Sequence, residues 1–372
     1  MESDRLLYPY RYKRWLTPSL VVAVFLLLYL GIVLARAGGD PLAFARVGEG
    51  FRDGKPLGEP GYDGQFAYFI ALDPRPALVA GRLDVPAYRY QRILYPLLAR
   101  LLAAGSPSLV PWALVAVNLA AQVAGAFLVE AWLVAHGLSR WYALSYGLWA
   151  GLVMAVRLDL NEPLCYALVA GALLAQHHDR PRLAAACLGL AVFAKETALL
   201  VAAALIIWAI LARRWNFLFP LSWFLIAFAI FQFLLFRWFG AIGLTSGGYL
   251  ATPFEWVPFL GLWRVGVVSR EALALLGVIF GPLVVVPSLW GIGAAARRLW
   301  QRDVSPAVLA LATNATAIAF TPFSTFREPL GLVRFAAGLV LATVLFGAHV
   351  KSRRVLNYSM FWLSALALII QE

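Results

Sequence analysis

Long apolar runs, parted by short polar joints, recur along the chain from Leu16 to Ile370. Most are near the length that crosses a bilayer, about 20 residues for ~30 Å of hydrocarbon. They are continuous, rich in Leu and Ala, and lack the period-2 alternation of a barrel wall, so the pattern predicts helices. The expected segments are 16–36, 108–135, 138–156, 160–176, 182–194, 197–212, 217–238, 272–292, 305–321, 330–349 and 355–371. This is an all-α polytopic membrane architecture with about eleven transmembrane helices. It forms one integral-membrane domain over 1–372, with a long outer loop at 37–107 and a helical bundle at 108–372. The first run follows Arg11, Lys13 and Arg14, as a signal peptide would. Its length and the absence of a small-x-small ending favour a retained anchor.

Composition closes off the soluble alternatives. The 372 residues are 62% hydrophobic and 13% charged, with mean hydropathy +0.78, which leaves no room for a soluble catalytic domain. The charges that remain set a direction. With the N-terminus inside, the inner joints hold 15 of the 31 basic residues, among them Arg140, Arg180, Arg213, Arg214, Arg297, Arg298 and Arg353, against four acids. Such short clusters abutting segment ends follow the positive-inside rule. The ambiguous stretch is 182–212, which could be one long helix carrying Lys195 and Glu196 at its middle. Charges at mid-bilayer cost a few kcal/mol each. A hairpin turning at Lys195 avoids that cost and returns Arg213 and Arg214 to the inner side.

The outer side is dense in charge yet nearly balanced. Arg92, Arg157, Lys195, Arg327 and Arg334 fall at membrane depth, beside acids such as Asp63, Glu162 and Glu196. Either a polar cavity gathers them or they snorkel to the interface one by one. All four histidines fall on the inner side, so outer chemistry would run on carboxylates with Arg and Lys as partners. Cys165 and Cys187 read as small buried hydrophobes.

In the 37–107 loop, Tyr62, Phe66 and Phe69 recur near helical spacing. They predict a juxtamembrane helix lying at the interface and opened by Asp63, whose carboxylate could serve simply as a first-turn acid. A second such helix is expected through Ile93, after the interleaved Tyr88-Arg89-Tyr90-Gln91-Arg92. Arg and Tyr at headgroup level suit a lipid phosphate. The 239–270 loop, with Thr245, Gly247, Gly248, Trp256 and Trp263, could be a lid or only a connection.

Four pieces together resemble the GT-C superfamily of membrane glycosyltransferases, which use polyprenyl-phosphate-linked sugars. They are the acid in Tyr62-Asp63-Gly64-Gln65-Phe66, the Arg-rich stretch running into Leu94-Tyr95-Pro96, Asn161-Glu162-Pro163 opening a segment, and Ala194-Lys195-Glu196-Thr197. The first two in sequence look like the arrangement in the GPI mannosyltransferase branch, an aspartate in an aromatic setting and then a Tyr-Pro stretch, and the fourth is similar to many bacterial members. The resemblance covers residues 1–215; the remainder matches only as further helices. It implies an inverting transfer on the extracytoplasmic face, in a bacterial cytoplasmic membrane, from a polyprenyl-phosphate sugar to a glycan, lipid or protein acceptor. No second acid adjoins Asp63, so no metal motif is evident and metal dependence stays open.

In that chemistry the leaving phosphate is already a stable anion and needs cations to hold it. The attacking hydroxyl needs a base. Asp63 is the candidate base, expected to matter for transfer and little for folding. Arg89, Arg92, Lys195 and Arg327 are candidate phosphate ligands, while Tyr62, Gln65, Asn161, Glu162, Glu196 and Arg334 are candidate orienting residues. Two other readings share these features: a transporter or flippase of lipid-linked sugars, which needs the cations but no base, and a non-catalytic envelope-assembly protein. Nothing in the pattern suggests nucleic acid as a partner.

Overall fold

The computed structural model describes residues 16–52 and 60–369. The basic residues before Leu16 therefore lie outside the described part. Among the described residues the chain is helical and forms no strand. The main helices are α1 (Pro18–Arg36), α2 (Gly64–Leu72), α3 (Leu94–Leu102), α4 (Val110–Ala135), α5 (Ala150–Arg157), α6 (Glu162–His177), α7 (Pro181–Ala194), α8 (Ala198–Leu211), α9 (Trp215–Phe239), α10 (Arg270–Trp300), α11 (Pro306–Ala319), α12 (Pro329–His349) and α13 (Arg353–Phe361). A π-helical turn at Gly281–Val285 interrupts α10.

Five of these, α1, α4, α9, α10 and α12, are long and apolar enough to cross a membrane. The other expected segments are shorter. Helices α7, α8 and α11 have 14 residues each, about 21 Å at 1.5 Å per residue, less than a ~30 Å core. The expected 138–156 helix is broken into Arg140–Ala143, Leu144–Gly147 and α5, with extended backbone at Trp149. Packing causes the break. The Trp149 indole donates to the Val333 carbonyl at 2.7 Å, and a side chain at Gly147 or Gly151 would strike Val22 or Val333. The expected 355–371 helix becomes α13 followed by a 3-10 stretch over Trp362–Ile369.

The chain turns at Lys195, whose backbone is extended. Phe193 of α7 packs on Phe228 and Phe231 of α9, at 5.3 and 5.9 Å between ring centres, and Gly189 faces Phe224. These pairs advance in the same direction, so α7 and α9 run parallel. Asp179 and Arg214, just before their first residues, are 3.0 Å apart. Helix α8 must therefore carry the chain back, as the charge pattern predicts. It does so splayed from α7, packing on α11.

Helix α2 is covered by protein more fully than the expected half-exposed helix would be. Seven of its nine residues are buried, because GQFAYFIAL is apolar on nearly every side and such a helix is enclosed rather than half-exposed. Helix α3 does keep an exposed face, with Leu97, Leu101 and Leu102 uncovered.

Helices α4, α6 and α12 give the molecule two chemically distinct ends. At their C-terminal ends the four histidines meet: His136 and His177 at 4.7 Å between ring centres, His177 and His178 at 5.3 Å, and His136 and His349 at 6.5 Å. His349 pairs with Asp303 at 3.2 Å. The charged cluster lies at the other end.

Candidate functional site

Asp63 stands immediately before α2 but makes no capping hydrogen bond with its side chain. Its carboxylate instead meets two guanidiniums, Arg89 at 3.0 Å and Arg334 at 3.1 Å. The reading of Asp63 as a plain first-turn acid is therefore replaced by an ion-paired one. Burial alone would raise its pKa; Arg89 and Arg334, then Arg92, override burial and hold the carboxyl well below the usual carboxylate range.

Each of the cations has a partner. Arg89 donates two hydrogen bonds to Asp84, both 2.8 Å, and lies over the Phe66 ring at 4.3 Å. Arg92 forms a bidentate pair with Glu196 at 2.8 and 2.5 Å and covers the Tyr88 ring at 4.3 Å. Glu162 Oε1 accepts from Lys195 Nζ at 2.6 Å and from Arg334 Nε at 2.8 Å. Arg334 also donates to the Tyr62 hydroxyl at 2.9 Å, and Tyr62 donates to Glu328 at 2.8 Å. Thus Tyr62, Asp63, Arg89, Glu162, Lys195 and Arg334 form one bonded network, drawn from the first loop, the turn before α8 and the starts of α6 and α12, and the Arg92–Glu196 pair lies beside it, with Arg92 and Arg89 on the same Tyr88 ring.

Two candidates stand apart. Arg327 is exposed and lies over the Phe323 ring at 5.7 Å, because the turn before Pro329 directs it away while Arg334, one turn further on, points inward. Gln65 is buried and spent on the loop backbone, accepting from Gly48 N–H at 3.0 Å and donating to the Pro60 carbonyl at 3.1 Å. It shapes the loop and does not face the cleft. Asn161 does line the cleft, and its buried side-chain oxygen has no hydrogen-bond partner.

Two residues of the cluster were not among the first candidates read from the sequence. Asp84, five residues before Arg89, orients that guanidinium from behind. Burial works to raise the Asp84 pKa, but its bonds to Arg89 bring it below the ordinary value. Asp159 lines the cleft with Asp63, Arg89, Arg92, Asn161 and Arg334. Its place in Arg157-Leu158-Asp159, beside the Asn161-Glu162-Pro163 motif, was the available signal.

The contact that seats Asp63 here is glycine-specific. A Cβ on Gly64 would run into the carbonyl oxygen of Leu158. Gly64→Ala should therefore cost about 1–3 kcal/mol, the usual range for overpacking, seen as a lower melting temperature in detergent. An unchanged melting temperature would mean the loop yields freely.

The cleft is nearly closed, about 20 Å³, room for about one water. Within a helical turn of it on α3 and α6 begins an apolar groove of about 980 Å³. Leu98, Leu101, Leu164, Gly171 and Cys187 line the groove, and His178 and Arg180 close its far end. In the Gly247-Gly248 loop, Gly248 lies beside Tyr88 and the Arg89 guanidinium. Among the described residues, no group of three or more His, Cys, Asp or Glu is arranged to hold a metal ion. No family model matches the chain, and comparison with curated proteins and with solved structures found no match.

Proposed function

We propose that the chain is an integral-membrane glycosyltransferase. It would take a sugar from a polyprenyl-phosphate donor and pass it, with inversion, to a glycan, lipid or protein acceptor on the extracytoplasmic face of a bacterial cytoplasmic membrane. In this reading all eleven apolar segments lie within the bilayer, the shorter ones packed inside the bundle, and the N-terminus is cytoplasmic. The observation that carries it is the convergence of Asp63, Arg89, Arg92 and Arg334 on one cleft that adjoins a long apolar groove. A lipid-linked sugar has that polarity: a charged phosphate joined to a long hydrocarbon chain.

Charge accounting says how a phosphate would enter. Arg89, Arg92, Lys195 and Arg334 are matched by Asp63, Asp84, Glu162 and Glu196, so no cation is in excess. The donor must exchange with a carboxylate already present. Glu196, held by Arg92 alone and with its side chain 22% exposed, can swing out; Glu162, at 0%, cannot, and Asp63 stays held between Arg89 and Arg334. Arg92 is then the primary phosphate ligand, with Arg89 beside it on the same Tyr88 ring, while Lys195 and Arg334 remain bound to Glu162.

The test is transfer of labelled sugar by the purified protein from polyprenyl-phosphate donors of different chain lengths. The expected result is a glycosyl product, with Ala124→Trp, placed in the groove lining, raising KM for long-chain donors and sparing short-chain ones. Movement of intact lipid-linked sugar with no product from any donor would instead establish a transporter.

A further inference from the structure

Asp159 is the one carboxylate lining the cleft without an ion pair to Arg or Lys among the described residues. It is fully buried. Its backbone is left-handed, φ 51°, a strained conformation that Asp tolerates better than most residues and that clusters at functional sites. The Gly64–Leu158 approach holds it against the start of α2.

The two carboxylate oxygens have different surroundings. Oδ2 has no hydrogen-bond partner. Oδ1 lies 3.4 Å from the Tyr95 hydroxyl. That hydroxyl accepts from Asn118 Nδ2 at 2.8 Å and sits 3.1 Å from the Leu114 carbonyl. Tyr95 thus has one proton for two acceptors. When it donates to Asp159, the carboxylate is stabilised; when it donates to Leu114, its oxygen is free to accept from a protonated Asp159. The site accommodates both protonation states of one carboxyl group, as a proton acceptor requires.

We propose that Asp159, rather than Asp63, takes the proton of the acceptor hydroxyl during transfer; this rests on the glycosyltransferase reading above. The acceptor oxygen attacks the anomeric carbon and forms the new C–O bond. The bond from that carbon to the phosphate oxygen breaks, and its electron pair leaves on the phosphate, held by Arg89 and Arg92. The hydroxyl proton passes to Asp159 Oδ2. Asp63, clamped by two arginines, is a weak base and acts as a positioning residue for them. Burial pushes the Asp159 carboxyl well above the usual range, against the lowering influence of Tyr95 and Arg157. Environments that drive two carboxyl groups apart in this way mark which one exchanges protons. The groups that face or surround Asp159 are Tyr95 from α3, Arg157 at the end of α5, and Asp63, Arg89, Arg92 and Arg334 around the cleft.

The experiment is a pH profile of kcat for the full-length protein, its Asp159→Asn and Tyr95→Phe variants, with donor KM measured alongside. Asparagine matches aspartate in shape and accepts the left-handed backbone. In wild type kcat should rise with pH to a plateau. Asp159→Asn should lower kcat about 10²- to 10⁴-fold, the usual worth of a general base, and abolish the rise while leaving donor KM unchanged. Tyr95→Phe removes a donor to the carboxylate, so the rise should move to higher pH. The infrared carbonyl band of a protonated carboxylic acid should be lost in Asp159→Asn. Wild-type rate and profile in Asp159→Asn would overturn the role of Asp159 and leave the glycosyltransferase reading intact. Should Asp159→Asn fail to fold, an unmoved profile in Tyr95→Phe would overturn it equally. Absence of transfer by wild type from every donor would overturn both.

Discussion

Asp63→Asn is expected to remove most turnover and also to weaken the fold. The first effect follows from what Asp63 holds. Its two oxygens fix Arg89 and Arg334 in one geometry, and preorganised charges of this kind are worth about 10²–10³ in kcat when one is lost. The second effect departs from the sequence expectation, which treated Asp63 as dispensable for folding. With asparagine in place, Arg89 keeps Asp84 and Arg334 keeps Glu162, but each loses a charged acceptor. Hydrogen bonds to charged groups contribute about 1.5–3 kcal/mol, so a visible fall in melting temperature should accompany the loss of rate. The pH dependence supplies a check of sign. Since the folded-state pKa of Asp63 lies below its unfolded value, its contribution is fully present above that unfolded value, ~3.9. It is lost as pH falls through the folded pKa. Wild type should therefore show an acid loss of stability, below about pH 4, that is smaller in Asp63→Asn. A transporter would keep moving lipid-linked sugar in this variant. Full transfer activity with an unchanged melting temperature would take Asp63 out of the site altogether.

Much of this site is legible in the sequence, because charge at membrane depth demands a partner. Lys195 and Glu196, read as the turn of a hairpin, lie beside the start of α6, with Lys195 bound to Glu162. Arg334, one turn into a segment opened by Pro329, reaches both Glu162 and Asp63. Other features were hidden for physical reasons. The pattern of Tyr62, Phe66 and Phe69 shows an apolar stripe, yet the remaining residues of α2 are nearly as apolar, and only packing decides whether lipid or protein covers them. The break at Trp149 depends on the Val333 carbonyl, 184 residues away. Gln65 and Arg327 are polar residues next to members of the charged cluster, and proximity in sequence does not say which way a side chain points. Asp159 was counted only as one more outer acid. Its burial, and its lack of an ion pair among the described residues, come from long-range packing.

Glu162→Gln should produce the largest loss of stability of any conservative change in the cluster. Glu162 is fully buried, and one of its oxygens accepts from both Lys195 and Arg334. It opens α6, where the helix end favours negative charge. Glutamine preserves the shape and an acceptor oxygen but removes the charge. Glu196 stays committed to Arg92 and Asp63 to Arg89, so Lys195 loses its buried counter-ion and Arg334 keeps only Asp63. Breaking a buried pair by removing one partner costs about 3–5 kcal/mol. Much of that cost lies in the stranded cation, which a second substitution can test. Lys195→Met retains a long apolar stem and removes the positive charge. In the Glu162→Gln background it should restore part of the lost stability, although alone it should destabilise, since it would then leave the carboxylate with Arg334 only. A double-mutant cycle by thermal or denaturant unfolding in detergent reads the coupling directly. Strictly additive losses would show that Lys195 and Glu162 do not stabilise one another, and would leave the turn at Lys195 to be explained by its backbone alone.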